Sequence, residues 1–172
     1  MSIKTAVKKA ARKVAGAVTG DEPQADLLDT LTEEHEMVAA LLEELVESER
    51  GPQRKSLLKK VKAALVPHAR AEEKILYDAI LKVRDKGANQ DGEEGYLEHG
   101  LVDRMLATLS KTGNAMSPEF GAGAKVLKEL VAHHVREEEN SFWADARKHF
   151  SSDERKLMNQ KYLRLKSTIK VS

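Results

Sequence analysis

The 172 residues predict an all-α protein, an up-down-up-down antiparallel four-helix bundle with additional N- and C-terminal helical segments. Three observations lead there. Four stretches repeat their apolar residues in alternating steps of three and four, the signature of one helix face. No stretch alternates apolar and polar residues as a half-buried strand would. The motif H-A-R-A-E-E, His68 to Glu73, returns as H-V-R-E-E-E, His134 to Glu139, so the two halves are built alike.

Residues 1–24 form a basic N-terminal helical extension, with Lys4, Lys8, Lys9, Arg12 and Lys13 beside Ile3, Val7, Ala10, Val14 and Val18 at helical spacing. A helical tail resting on the bundle is the simplest reading, and a weak membrane-surface or targeting helix is the competing one.

The bundle occupies residues 25–150. Its first helix, 25–49, aligns Leu28, Leu31, His35, Val38, Leu42 and Leu45, and Gly51 and Pro52 are expected to stop it. The second runs from Gln53 to Arg84 with Leu58, Val61, Leu65, His68, Glu72, Ile75, Ala79 and Val83 on one stripe. Pro67 removes a backbone donor inside it, so a bend beside His68 is expected. Asp85 to Gly95 contains three glycines, Asn89 and Asp91, and reads as a loop.

The third helix places Tyr96, His99, Val102, Leu106 and Leu109 on one face and ends near Gly113. Ser117 and Pro118 suit the N-cap and first position of the fourth, which aligns Leu127, Val131, His134, Glu138 and Phe142. Residues 151–172 form a C-terminal amphipathic helix behind the capping box Ser151-x-x-Glu154, with Leu157, Met158, Tyr162, Leu165 and Ile169 facing the outside of the bundle.

The formal net charge of +1 provides no global field for nucleic acid. The chain has no cysteine, which excludes disulfides, thiolate metal sites and thiol nucleophiles and suits a reducing cytoplasm. No apolar run approaches the roughly 20 residues of a membrane span. No glycine-rich phosphate loop follows a strand.

Aligned on their histidines, the two motifs share His68/His134, Arg70/Arg136, Glu72/Glu138 and Glu73/Glu139, followed by Leu76/Phe142 and Tyr77/Trp143. One further histidine precedes each copy, His35 by 33 residues and His99 by 35. A His and a Glu four apart share a helix face. In tight antiparallel hairpins, His35 and His68 each lie about 22 Å from their turn, and His99 and His134 lie at nearly the same height. Four imidazoles and two carboxylates at one level inside a bundle are costly without a cation, so His35, His68, Glu72, His99, His134 and Glu138 are the candidate metal ligands.

Several choices stay open in the sequence. His133 with Glu137 offers an alternative register to His134 with Glu138. Asp103 is either a further ligand or half of an ion pair. Glu73 and Glu139 either orient ligand imidazoles or lie on a solvated face. Tyr96 either packs in the core or reaches a bound ligand. Arg70 and Arg136 are expected in surface ion pairs. His149 falls about 16 Å beyond Glu138, too far to join the site.

The stretches L-T-E-E-H at His35, P-H-A-R-A-E-E-K-I-L-Y from Pro67, L-E-H-G-L-V at His99 and H-H-V-R-E-E-E-N-S-F-W from His133 together resemble the hemerythrin-like, or HHE cation-binding, family, from about residue 25 to 150. The resemblance implies two iron ions with an oxo or hydroxo bridge. His35, His68, His99 and His134 would be terminal ligands, with Glu72 and Glu138 bridging. Oxygen-carrying hemerythrins have a second histidine four residues along the third helix, where this chain has Asp103. The departure points away from oxygen transport, toward redox, sensing or detoxification chemistry with O2, peroxide or NO as the small ligand. The alternatives are an iron or oxygen sensor whose fold responds to metal occupancy, and iron–sulfur cluster repair. The oligomeric state is left open between monomer and weak dimer.

Overall fold

In the computed structural model, which describes residues 25–171, every regular element among the described residues is helical. The N-terminal extension, 1–24, lies outside the described residues. Helix α1 spans Leu27–Glu47; its N-cap Asp26 accepts a hydrogen bond from the Leu28 amide. Helix α2 spans Gly51–Glu72 and continues through a π turn, Glu73–Tyr77, into Asp78–Ile80. Helix α3 spans Lys86–Lys111. Helix α4 spans Pro118–Glu137 and continues through a second π turn, Glu138–Phe142, into Trp143–His149. Helix α5 spans Ser152–Lys166. The first four form the antiparallel bundle, and α5 lies against α1 and α2.

Two local expectations are corrected. Gly51 and Pro52 do not terminate α1; they begin α2, where a first-turn proline loses no helical hydrogen bond. Pro67 lies inside α2, where the sequence places it. Asp85 to Gly95 is not a loop. Asp85 caps α3 by accepting from the Gly87 and Ala88 amides, and the glycines lie inside the helix. They serve close packing: a Cβ on Gly95 would lie 2.6 Å from the Tyr77 ring, and one on Gly92 would lie 3.4 Å from Leu81. Because α3 begins at Lys86, the thirteen residues 86–98 before His99 equal in number the thirteen, 73–85, that follow Glu72.

A third correction concerns phase. Ile75, Ala79 and Val83 do not continue the inner stripe of α2; Leu76, Tyr77 and Ile80 are the buried residues. A π turn accommodates one residue more than an α turn and rotates everything after it. The same device in α4 buries both Phe142 and Trp143. On the C-terminal helix, Leu157 is exposed and Tyr162 is the deepest residue. The capping box at Ser151 is present as expected, as is the Ser117 N-cap with Pro118 following.

The apolar residues form two clusters with a polar layer between them. One, toward the α1–α2 and α3–α4 turns, contains Leu42, Leu45, Val61, Leu106, Phe120 and Leu127. The other contains Leu31, Leu76, Tyr77, Phe142, Trp143 and Tyr162. Arg54 ties the turn end together, donating to the Ser48, Val46 and Ala115 carbonyls. Both clusters hold the intervening polar side chains out of water.

Candidate metal centre

Helical spacing and hairpin register bring His35, His68, Glu72, His99, His134 and Glu138 into the layer between the two clusters, all buried. The imidazoles fall into two pairs. His35 and His68 have ring centroids 5.1 Å apart, and His99 and His134 have theirs 4.6 Å apart with Nε2 atoms 3.0 Å apart. Each carboxylate spans the pairs. Glu72 Oε2 is 3.4 Å from His68 Nε2 and 3.8 Å from His99 Nε2. Glu138 Oε2 is 3.4 Å from His134 Nε2 and 3.3 Å from His35 Nε2. Glu72, His99 and His134 present ligand atoms within 4.8 Å of one another. The alternative register is not what the fold uses: the His133 side chain is 50% exposed and His134's is 5%.

Behind the imidazoles runs a closed ring of four glutamates. Glu34 of α1 accepts from His68 of α2 at 2.9 Å, and Glu73 of the α2 π turn from His99 of α3 at 3.0 Å. Glu98 of α3 accepts from His134 of α4 at 2.7 Å, and Glu139 of the α4 π turn from His35 of α1 at 3.0 Å. A carboxylate can only accept, so each imidazole donates from Nδ1 and turns Nε2 inward. Metal-binding histidines require that orientation. Glu73 and Glu139 are therefore orienting groups. Glu34 and Glu98 escaped the sequence reading, although the repeated dipeptides Glu34-His35 and Glu98-His99 were a visible signal.

Several inner atoms lack hydrogen-bond partners among the described residues. Neither carboxylate oxygen of Glu72, a residue with 0% exposure, accepts a hydrogen bond from a described residue; the same holds for Glu138 Oε2 and His35 Nε2. Buried carboxylate oxygens without donors are stabilised by a cation. Inward imidazole nitrogens and carboxylate oxygens are the mixed donor set that suits iron, manganese or zinc. The residues present fit a dinuclear metal group.

Electrostatics follow the same geometry. Burial lowers His35 to about 3 despite Glu138. Burial would also lower His68 and His134, but Glu72 with Glu34 raises the first to about 10, and Glu138 with Glu98 raises the second to about 9. Glu34 is held down at about 2, its burial outweighed by His68 and Lys166. The layer's carboxylates demand positive charge.

Aromatic rings flank both pairs in matching positions. Tyr77 stacks on His99 at 5.4 Å and Trp143 on His35 at 5.8 Å. The Tyr77 hydroxyl donates to Glu138 Oε1, whereas the Trp143 indole donates to Thr32. Tyr96, the tyrosine considered from sequence, instead donates to Asp78 and the Glu73 carbonyl. The π turn hid Tyr77 from a simple helical projection. On the opposite side of the layer lies a cavity of about 20 Å³, lined by the four histidines with Val38, Leu65, Val102, Val131 and Asp103 among others. Asp103 is in an ion pair with Arg70, which also pairs with Glu73. Arg136 lies beside His133. His149 hydrogen-bonds Asp85, in a separate group with Asp145.

Residues 26–146 match the hemerythrin HHE cation binding domain. The chain is also 28% identical over 158 residues to a protein named DNA nickase from Nostoc sp. (strain PCC 7120 / SAG 25.82 / UTEX 2576), covering 91% of this chain and 44% of that protein. It thus spans less than half of that relative's length. No solved structure matches.

Proposed function

This chain belongs to the hemerythrin HHE cation-binding family, and we propose that it is a non-haem di-iron protein that binds or reacts with a small ligand, O2, peroxide or NO, in redox or oxidative-stress chemistry. His35 with His68 would hold one iron and His99 with His134 the other, and Glu72 and Glu138, each near one histidine of both pairs, would supply carboxylates to both. When bound, two irons supply paired one-electron steps and an open coordination position. The observation that carries this reading is Glu72, wholly buried between two imidazole pairs, with neither oxygen accepting a hydrogen bond from a described residue.

The chain's own residues define how the site would operate. The glutamate ring keeps four Nε2 atoms aimed at one layer. Val38, Leu65, Val102 and Val131 make the adjoining cavity apolar and too small for an organic substrate. Its volume, about 20 Å³, suits a group of one or two heavy atoms. Tyr77, already donating to Glu138, holds a proton beside the bridging carboxylate. Burial, together with Glu138 and Glu72, pushes the Tyr77 phenol well above its ordinary pKa, so it remains a donor.

The relative's name raises strand cleavage as a second chemistry, since dinuclear centres can assist phosphodiester hydrolysis. The geometry favours the small ligand: a sugar-phosphate does not fit the cavity beside these buried residues. Sensing through metal occupancy is the stronger alternative, because α5 reaches the site, and repair of iron–sulfur clusters has no comparable support.

Metal analysis of protein purified anaerobically, with Mössbauer spectra after exposure to O2, tests the reading. Two irons per chain and a coupled diferric signal are expected. Protein without iron, or with one magnetically isolated iron, would overturn it.

A further inference from the structure

The four orienting glutamates are equivalent by position but not by surroundings. Three donors from two other helices meet at Glu34 Oε2. They are His68 Nδ1 at 2.9 Å, the Tyr162 hydroxyl at 2.6 Å and the Lys166 ammonium. Tyr162 has 0% exposure, and its oxygen also lies 3.2 Å from His68 Nδ1. Lys166 passes over the Tyr162 ring, 5.5 Å from its centroid. Both residues belong to α5, one turn apart. Elsewhere in the ring, Glu73 is shared with Arg70 of its own helix and Glu98 with His133 of α4.

We propose that Tyr162 and Lys166 are positioning residues that hold Glu34, and through it His68, so that the His35/His68 metal position depends on a docked α5 while the His99/His134 position does not. This inference rests on the metal reading above. Losing the Tyr162 hydroxyl leaves a flexible lysine as the one α5 donor to Glu34, so the acceptor behind His68 is less firmly fixed. Partners behind a metal-binding imidazole typically change affinity by about 10–100-fold. Coupling between two events is reciprocal, so metal at this position also strengthens docking of the C-terminal half of α5. The N-terminal half has separate anchors: Arg155 pairs with Asp26 at 2.8 Å, and Asn159 donates to the Ala25 carbonyl at 3.0 Å.

The test is a titration of Co(II) into the metal-stripped full chain and its variants. Calorimetry follows each step, visible ligand-field bands report coordination, and circular dichroism confirms folding. Two ions are expected for the unaltered chain. Tyr162→Phe is expected to weaken one step by about 10–100-fold and leave the other unchanged, and Lys166→Met to shift the same step in the same direction. Arg155→Met removes only the ion pair to Asp26 at the N-terminal half of α5 and leaves the Tyr162 and Lys166 contacts in place, so it should lower the melting temperature with both steps intact. In the unaltered chain, the ion that fills the sensitive step should slow amide exchange at the C-terminal end of α5. Unchanged affinities in both Tyr162→Phe and Lys166→Met, equal weakening of both steps, or the same loss in Arg155→Met would overturn the inference while leaving the metal reading standing. Failure of the unaltered chain to bind any Co(II) would overturn both.

Discussion

Tyr77 touches ligands from both sides of the layer: its ring stacks on His99 of α3 and its hydroxyl donates to Glu138 of α4. Its repeat counterpart, Trp143, stacks on His35 but does not serve Glu72 in return. Glu138 and Glu72 are therefore inequivalent, the first with a phenol donor and the second with none among the described residues. Tyr77→Phe should keep both metals yet change the optical spectrum and slow or redirect the reaction with peroxide. In the metal-free protein it should also cost about 1–3 kcal/mol, because buried Glu138 Oε1 loses the hydrogen bond from Tyr77. An unaltered spectrum and rate would assign Tyr77 to packing alone.

Gly95 is the reason Tyr77 can sit where it does. A methyl group there would lie 2.6 Å from the ring. Gly95→Ala should destabilise the protein by about 1–3 kcal/mol through overpacking and reproduce the spectral change of Tyr77→Phe. Gly100→Ala is the control, since its nearest neighbour is the flexible Arg104 side chain at 3.7 Å. There the better helix propensity should add up to about 1 kcal/mol. Urea denaturation of both variants measures the difference.

Removal of a bridge is expected to empty part of the site. Glu72→Ala or Glu138→Ala should lose at least one metal ion by elemental analysis. Glu73→Ala removes only the acceptor behind His99, so it should retain two ions at saturation with affinity lowered about 10–100-fold. Full occupancy in the Glu72/Glu138 double variant would rule out bridging.

Metal uptake should release protons. His68 and His134, raised to about 10 and about 9, are charged at neutral pH without metal, and a ligand imidazole must be neutral. Nearly two protons per chain from these histidines are expected at pH 7, falling as the pH passes 9 and then 10; an indicator dye in weak buffer measures it. The sign for metal-free stability follows. Both values lie above the ordinary histidine value of 6.5, so their contribution is complete below that pH and lost as pH rises through 9 to 10. Melting temperatures of stripped protein should fall across that window.

The amino-acid order alone was enough for the four-helix bundle, the two hairpins and the six inner residues, because each depends on short-range periodicity. A His–Glu spacing of four fixes a shared helix face, and chain length from each turn fixes height. The outer glutamates, the tyrosine at Glu138 and the role of α5 depend on contacts between helices far apart in the chain. Tyr77 points inward only because a π turn shifts the phase of α2, and that turn has no short sequence signature. The glycines of α3 suggest a loop by composition, whereas in the fold Gly95 and Gly92 make room for Tyr77, Ile80 and Leu81 packed against the helix. Local rhythm sets which face a helix turns inward; packing between helices decides which atoms meet there.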